Sequence, residues 1–280
     1  MPLQKIAAFS DGPVGGNPAG VWTGDALPPP AEMQRIAAGV GFSETAFAAP
    51  QGSGGWRVRY FSPETEVPFC GHATIALGAA LARREGDGVF DLALSHARIT
   101  VEGRRSGDLV QAALQSPPTR SGPLPAGLLD SLLALFGLAP ADLDPRIPPA
   151  LIHGGADHAV LALHSRARLA AMHYALDAGR TLMLASGLVT VVLVVVESDQ
   201  LFHTRNAFAS GGVLEDPATG AATAALAGYL RDLGWPHGGA IDVVQGEDMG
   251  MRSRLRAEIG PVPGSSIRVS GTARWMRSDE

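Results

Sequence analysis

The sequence of 280 residues predicts an α+β fold of two pseudo-symmetric halves, each a curled β-sheet or barrel around a central buried helix. Two Ala-rich segments, 71–81 and 220–230, agree at six of eleven positions when offset by 149 (220 − 71). That offset is close to half the chain, as expected after an internal duplication. Ala and Leu favour a helix in both segments, and neither has a polar face. Each helix should therefore be enclosed by protein on all sides.

The N-terminal ends of these two helices are the predicted functional positions. The first backbone N–H groups of a helix lack partners within the helix and carry the positive end of its dipole. A bound anion is therefore stabilised there. The segment Cys70-Gly71-His72 opens the first helix, and 215–220 opens the second.

Short apolar and alternating runs predict the other elements of the first half. Pro30 favours the first turn of a helix and Gly41 favours its end, so the residues between them are predicted to be helical. Residues 56–61 alternate apolar side chains with arginines, which is typical of a strand with one wetter face. We predict strands at 5–9, 21–22, 42–47, 56–61, 89–94, 97–102 and 109–114, and helices at 31–40 and 71–81.

A proline-rich segment, 116–126, is the predicted break between the halves. It contains four prolines in eleven residues, a composition that disfavours regular structure and suits a linker. We therefore predict a first half of residues 1–117, which the last strand, 267–277, can join. The second half is predicted to span residues 118–280.

The second half repeats the pattern of short strands around one apolar helix. Residues 127–136 form an amphipathic helical pattern, and the apolar run 188–196 is rich in Val, which favours a buried strand. Residues 153–158 have the composition of a turn. We predict helices at 127–136, 165–176 and 220–230, and strands at 151–163, 188–197, 201–208, 241–245, 254–259 and 267–276.

Composition excludes several functional classes. The net charge of −5 and the pI near 5.9 give no basic surface for nucleic acid. The Val-rich run 188–196 has nine residues, well short of the roughly 20 that a membrane-spanning helix needs. The single cysteine, Cys70, excludes an internal disulfide and a cysteine-based metal cluster. With no recognisable signal peptide, we expect a cytoplasmic protein that binds neither nucleic acid nor membrane.

The sequence also predicts no metal site and no cofactor. The histidines at 153, 158, 164 and 173 lack the spacing of a zinc-protease helix. The glycine pair at 15–16 precedes no predicted helix, so it does not resemble a dinucleotide or phosphate-binding loop. No strand–turn–helix motif with a nucleophilic serine is present.

Four side chains remain as candidates for chemistry, and each also has a structural explanation. Asp216 before Pro217 is typical of a helix cap. His72 can be a satisfied polar group at a helix start, and Cys70 a small buried apolar residue. Glu44 can be an exposed strand residue. Residue type and spacing alone leave these alternatives open.

Six sets of residues along the chain form a combination of motifs that is more specific than any one of them. They are Gly16–Ala19, Phe42–Phe47, Phe61–Thr74, Arg205 with Phe208, Glu215–Gly220 and Gln245–Glu247. Together they resemble the PhzF-like isomerase family of phenazine biosynthesis, and the resemblance covers nearly the whole chain.

The resemblance implies a diaminopimelate epimerase-like fold, in which two barrels each surround a helix and the active site lies between them. It also implies a homodimer and a small-molecule substrate that carries a carboxylate. Glu44 matches the family's catalytic glutamate, which moves a proton between carbons of the substrate. His72 and Asp216 match residues that assist binding and proton handling. The implied substrate-binding residues are Asn17, Cys70, Gly71, Thr219, Gly220 and Ala221.

Two departures from the family pattern leave other functions open. Ala221 stands where the family commonly has serine, so one hydroxyl contact is missing. Cys70 occupies the place of a catalytic cysteine in related amino-acid racemases and epimerases, but its repeat equivalent is Thr219 (219 − 149 = 70). We predict a cofactor-independent isomerase, with a Cys70-dependent racemase or a non-catalytic carboxylate-binding protein as alternatives.

Overall fold

The computed structural model describes residues 3–52, 54–95 and 97–277, which divide into two compact units. Within the described residues, the first unit contains 3–115 and 270–277, and the second contains 116–269. The elements of the first unit are β1 (Leu3–Ser10), β2 (Asn17–Thr23), α1 (Pro30–Val40), β3 (Thr45–Pro50), β4 (Trp56–Phe61), β5 (Glu66–Val67), α2 (Gly71–Glu85), β6 (Gly88–Ala93), β7 (Arg98–Ser106) and β8 (Leu109–Gln115).

The second unit contains the remaining elements, and most of the last strand, Arg268–Trp275, belongs to the first unit. The elements that follow β8 are β9 (Arg120–Pro123), α3 (Leu128–Phe136), β10 (Ala150–His153), β11 (Asp157–Ala162), α4 (Arg166–Ala170), α5 (Leu176–Ala185), β12 (Thr190–Ser198), β13 (Leu201–Ala207), β14 (Glu215–Asp216), α6 (Gly220–Asp232), β15 (Ala240–Gln245), β16 (Ser253–Glu258) and β17 (Arg268–Trp275). Among the described residues, none of the helices combines the length and apolar character that crossing a bilayer requires.

The sheet of the first unit closes on itself around helix α2. The strand order runs β1, β2, β3, β4, β6, β7, β8 and β17, and β17 pairs again with β1. The β2–β3 and β4–β6 pairs are parallel, and short β5 adds antiparallel to β4. Helix α2 packs against strands on several sides of this barrel, so the prediction of a curled sheet around a central helix is confirmed.

The second unit repeats this plan strand by strand. Parallel pairing of β11 with β12 corresponds to β2 with β3, and parallel pairing of β13 with β15 corresponds to β4 with β6. Short β14 adds antiparallel to β13, as β5 does to β4. Helix α6 follows β14 and packs against β9, β10, β11, β15 and β16. The same order of pairings in both units supports the duplication inferred from the two Ala-rich segments.

Both central helices are buried over nearly their whole circumference, as the sequence predicted. In α2 every residue from His72 to Ala82 is buried, and in α6 every residue from Ala222 to Arg231 is buried. Because Ala and Gly have small side chains, the surrounding strands come within backbone contact of these helices. A Cβ atom on Gly103 of β7 would lie 2.4 Å from the carbonyl oxygen of Gly78 in α2. A Cβ atom on Gly154 would lie 2.7 Å from the backbone nitrogen of Ala225 in α6.

We expect Gly103→Ala to destabilise the protein by about 1–3 kcal/mol, the usual cost of overpacking a core. The added methyl group would also meet Ala82 Cβ at 2.7 Å, so the strand must move away from the helix. Gly88 is the matched control, because it pairs with Gly103 in the β6–β7 ladder. A Cβ on Gly88 would approach only the Phe90 ring, at 4.0 Å. Chemical denaturation should show a change of at most about 0.5 kcal/mol for Gly88→Ala, and equal losses in both variants would contradict the account.

The proline-rich segment contains regular structure, so the prediction of an irregular linker there was wrong. Strand β9, Arg120–Pro123, lies inside it and pairs antiparallel with β10. Its only proline, Pro123, is the last residue of the strand, and the other three prolines of the segment lie outside it. Proline is tolerated at a strand end because one missing donor there leaves most of the ladder intact.

The predicted helix 165–176 was also wrong in extent. Helix α4 covers only Arg166–Ala170 and is capped by Ser165, whose side-chain oxygen accepts from the Arg168 N–H. A second helix, α5, follows at Leu176–Ala185 and was not predicted. Gly179 weakens the helical pattern of α5. It is needed because a Cβ atom there would lie 2.4 Å from the ring of Tyr174.

His158 is buried in the parallel β11–β12 ladder, directly opposite Thr190. Its Nδ1 lies 2.7 Å from the Thr190 hydroxyl oxygen. Burial disfavours the charged imidazolium and lowers the pKa of His158 from 6.5 to about 3. In the unfolded chain His158 takes up a proton near pH 6.5, whereas in the folded protein it does so only near pH 3. The free energy of unfolding therefore falls as the pH drops from 6.5 towards 3.

Below pH 6.5, His158 should make the free energy of unfolding fall by about 1.4 kcal/mol for each pH unit, and we expect His158→Gln to remove this contribution. The measurement is urea denaturation at several pH values between 4 and 7, comparing slopes of stability against pH. His173, which is exposed, provides the control substitution His173→Gln. Identical slopes for the unmodified protein and His158→Gln would contradict the assignment of a neutral buried imidazole.

Candidate active site

Three predicted functional side chains meet in the first unit. His72 Nε2 lies 3.5 Å from Glu44 Oε2, and Cys70 Sγ lies 3.4 Å from His72 Nδ1. The side chains of Glu44 and His72 are 13% and 6% exposed, and Cys70 is 8% exposed. We call this group the Glu44–Cys70–His72 cluster. It places a carboxylate, an imidazole and a thiol close together where little of each side chain is exposed, and all three are residue types that act as general acids or bases.

Glu44 is held by the backbone of the sheet, one residue before β3. Its carbonyl oxygen accepts a hydrogen bond from the Gly20 N–H of β2, at 3.1 Å. The neighbouring Ser43 hydroxyl lies 3.4 Å from His72 Nε2, so the imidazole has both a hydroxyl and a carboxylate beside the same nitrogen. Within the described part of the chain, Glu44 Oε2 is a buried oxygen without a hydrogen-bond partner.

A buried hydrogen-bond chain fixes the turn that carries Cys70. The Thr74 hydroxyl donates to the Cys70 carbonyl oxygen at 2.7 Å, and the Tyr60 hydroxyl lies 2.7 Å from the Thr74 oxygen. Because Thr74 donates its only hydroxyl proton to Cys70, Tyr60 must donate to Thr74. Burial raises the pKa of Tyr60, so its phenol stays protonated and keeps this role.

The two buried helices begin at equivalent residues. Cys70 is the N-cap of α2 and Thr219 is the N-cap of α6, both in extended backbone conformation. This matches the offset that pairs them in the sequence. Among the described residues, no side chain caps the N-terminus of either helix. The first-turn N–H groups at Gly71 and Gly220 therefore remain suited to an anionic ligand.

The second unit holds its own polar group at the start of α6. The Thr219 hydroxyl donates a short hydrogen bond to Asp216 Oδ2. Gln245, fully buried at the end of β15, accepts from the Thr219 N–H at 3.1 Å and donates to the Asp216 carbonyl oxygen at 2.7 Å. The Gln245 amide therefore bonds to the backbone at both ends of the turn 216–219, which positions the Asp216 carboxylate.

Asp216 does not cap α6, whose N-cap is Thr219, so the structural alternative that the sequence left open for Asp216 does not hold. The helix begins at Gly220, after Asp216 has already paired with Asn206 in the β13–β14 ladder. The sequence Asp-Pro looked like a helix start because Pro217 fits a first helical turn. In the structure the turn continues for two more residues, and the Asp216 side chain is oriented by Thr219 instead.

The remaining predicted binding residues lie at the starts of β2, α2 and α6. Asn17 is buried at the first position of β2, opposite Ala8 of β1. Gly71 and Gly220 are the first residues of α2 and α6, and Ala221 follows in the first turn of α6. The structure thus brings Glu44, Cys70 and His72 together in the first unit, and Asp216 with Thr219 in the second.

The family model described as phenazine biosynthesis-like protein (PhzC-PhzF) matches residues 6–278. The chain belongs to this family. Among its relatives is the trans-2,3-dihydro-3-hydroxyanthranilate isomerase of Pseudomonas aeruginosa, which is 32% identical over 95% of this chain and 94% of that protein. The relatives are named isomerases, and this PhzF-family chain is an isomerase.

Solved structures show the same fold. The PhzF-family phenazine biosynthesis protein of Bacillus anthracis superposes with a TM-score of 0.86 at 21% identity, covering 99% of this chain and 97% of that one. A probable proline racemase from Agrobacterium radiobacter superposes with a TM-score of 0.67 at 14% identity, covering 98% and 90%. The PhzF-family fold of this chain is therefore shared with proline racemase-like and diaminopimelate epimerase-like proteins, as the sequence predicted.

Two polar residues of this PhzF-family chain were not predicted as part of the site. Ser43 precedes Glu44 in the motif that carries the resemblance, and its hydroxyl reaches His72. Gln245 could have been found from the alternation in β15, because it shares the buried face of Ile241 and Val243. A polar side chain at a buried position of a strand is expected to form hydrogen bonds, and Gln245 forms them with Asp216 and Thr219.

Proposed function

We propose that this isomerase moves a proton between two carbons of a small carboxylate-bearing substrate without a cofactor. Glu44 is the group that takes up and returns the proton. The observation that carries this proposal is the position of Glu44 Oε2, buried and 3.5 Å from His72 Nε2. A carboxylate so placed can hold a substrate proton while little water competes for it.

His72 and Ser43 are proposed to orient Glu44 and the reacting part of the substrate. The imidazole stands beside the carboxylate, and its other nitrogen faces the Cys70 thiol. It can therefore donate or accept a hydrogen bond as charge develops during proton transfer. Asp216 is proposed to assist in the same way from the turn held by Gln245 and Thr219.

The substrate carboxylate is proposed to bind backbone N–H groups at the start of a buried helix, for which the family resemblance implies Gly71 in α2 and Gly220 in α6. Gly71 and Gly220 present no side chain, so an anion can approach their backbone closely. The fixed dipole of such a helix would stabilise negative charge that builds up nearby when a proton leaves carbon. A homodimer in the cytoplasm is proposed on the family resemblance, and light scattering of the purified protein checks the dimer.

The compound to test first is trans-2,3-dihydro-3-hydroxyanthranilate, because the relative from Pseudomonas aeruginosa is named for its isomerisation. The experiment incubates the enzyme in deuterated water with this compound and with a library of cyclic and amino carboxylates. NMR then reports deuterium at carbon and any shifted double bond. We expect deuterium incorporation into at least one of these acids. Carboxylate binding by calorimetry, with no deuterium in any bound acid, would instead identify a non-catalytic binding protein.

A Cys70-dependent racemase is the second candidate, supported by the 3.4 Å distance between Cys70 Sγ and His72 Nδ1. An adjacent imidazole can activate a thiol as a base. This candidate predicts rapid inactivation by iodoacetamide and loss of racemisation in Cys70→Ser. Full turnover in Cys70→Ser would eliminate it. The equivalent position in the second unit is Thr219, which cannot serve as the opposing thiol of a two-cysteine mechanism.

A further inference from the structure

The Glu44–Cys70–His72 cluster contains one sulfur, one nitrogen and one oxygen donor that can face a common point. Their donor atoms all lie within 4.8 Å of one another. His72 Nε2 is 3.5 Å from Glu44 Oε2 and 4.0 Å from Cys70 Sγ. In a tetrahedral zinc site the bonds are about 2.0–2.3 Å long, which places neighbouring ligand atoms about 3.3–3.8 Å apart. Small side-chain rotations would bring these three atoms to such spacings.

We propose that the Glu44–Cys70–His72 cluster binds one Zn²⁺ ion, and that the bound ion blocks proton transfer. Thiolate, imidazole and carboxylate are the three ligand types of protein zinc sites. Magnesium and calcium prefer all-oxygen sites, so this donor set selects against them. Three protein ligands leave a fourth position, which a water molecule or a substrate oxygen can fill.

The buried Glu44 carboxylate favours a cation at this place. Glu44 Oε2 is shielded from solvent and, among the described residues, has no hydrogen-bond donor. A buried carboxylate oxygen in that condition is destabilising unless a positive charge lies beside it. A Zn²⁺ ion provides that charge, and its bond to Cys70 replaces the proton of the thiol.

The sequence did not reveal this donor set because its members are far apart along the chain. Glu44 lies 26 residues before Cys70 (70 − 44), whereas the metal-site signatures that a sequence shows are short spacings between histidines, cysteines and carboxylates. The folded barrel brings the residue before β3 next to the start of α2. The consequence for activity rests on the proposed function, because a metal-bound Glu44 cannot accept a substrate proton.

The binding test needs no substrate and uses Zn²⁺ alone. The purified, metal-free protein competes with a chromophoric chelator for Zn²⁺, and binding is compared between the unmodified chain, Cys70→Ser and Glu44→Gln. We expect one Zn²⁺ per chain, with affinity reduced by at least about 10–100-fold in each variant. Asp157→Asn is the matched control, because His153 and Asp157 form another histidine–carboxylate pair, 2.7 Å apart, in the second unit. Equal affinity in all four proteins, or no stoichiometric binding, would overturn the proposal.

Cobalt substitution provides a second readout. Co²⁺ bound through Cys70 should give a thiolate-to-cobalt absorption band in the unmodified protein and lose it in Cys70→Ser. Absence of the band in the unmodified protein would contradict thiolate ligation. Where the deuterium exchange assay reports activity, equimolar Zn²⁺ should suppress it and a chelator should restore it. Exchange that persists in protein shown to hold Zn²⁺ would overturn the block, whereas zinc binding without any exchange would count against the proposed function alone.

Discussion

Glu44→Gln is expected to lower the turnover number by at least about 10³-fold, within the range attributed to general acid–base groups. The amide keeps the shape of the carboxylate but cannot take up a proton from carbon. The fold should persist, because the backbone of Glu44 rather than its side chain makes the hydrogen bond to Gly20. Steady-state kinetics on the acid identified by deuterium exchange, with circular dichroism to verify folding, provide the measurement.

Glu64→Gln is the matched control for this prediction. Glu64 lies in the same unit and is exposed, so its replacement removes one carboxylate without touching the cluster. Turnover in Glu64→Gln should equal that of the unmodified enzyme. If Glu44→Gln turned over as fast as this control, Glu44 could not be the proton carrier.

Arg205→Met is expected to destabilise the second unit by about 3–5 kcal/mol, because it leaves a buried carboxylate unpaired. Glu215, 5% exposed, faces the Arg205 guanidinium through two nitrogens, with Arg205 Nε 3.1 Å from Glu215 Oε1. Arg205 also donates to the Ala170 carbonyl oxygen at 2.8 Å and to the Met172 carbonyl oxygen at 3.2 Å. This ion pair therefore links β13 and β14 to the end of α4.

Chemical denaturation measures this loss, and Arg120→Met is its control. Arg120 and Asp157 are also an ion pair in the second unit, but they are 65% and 51% exposed. An exposed pair of this kind contributes about 0–1 kcal/mol. Replacing both members of the buried pair, as Arg205→Met with Glu215→Leu, should recover part of the loss. Equal free energies of unfolding for Arg205→Met and Arg120→Met would show that breaking the buried ion pair costs no more stability than breaking the exposed one.

The duplicated plan was predictable because its signal is strong and local. Helices α2 and α6 are long runs of Ala and Leu without a polar face, and such runs admit few alternatives to a buried helix. The end of α1 at Gly41 followed from a glycine in left-handed conformation, φ 74°, which the sequence marks directly. These elements depend on residues near them in the chain.

The elements that were missed depend on residues far from them. Strand β9 forms because β10, about 30 residues later, offers a pairing partner for a proline-rich segment. Helix α5 tolerates Gly179 because the ring of Tyr174 occupies the space beside it. Contacts between residues distant in the sequence often outweigh weak local preferences for helix or strand, and local composition does not reveal them.

In the candidate site too, features set by nearby residues were predictable and features set by distant residues were not. Glu44, His72 and Asp216 were selected from motifs, but their surroundings were not predictable from spacing. Ser43 and Gln245 act through hydrogen bonds to atoms 26 or more residues away, and Asp216 proved to be oriented by Thr219 rather than by a helix start. The grouping of Cys70 with Glu44 appeared only once the barrel was known.

The most direct test of the central assignment follows deuterium rather than product. The unmodified enzyme and Glu44→Gln are incubated with the identified acid in deuterated water, and NMR reports the rate at which deuterium enters carbon. Incorporation by the unmodified enzyme and none above background by folded Glu44→Gln is the expected result. Equal incorporation rates in the two proteins would contradict proton transfer by Glu44.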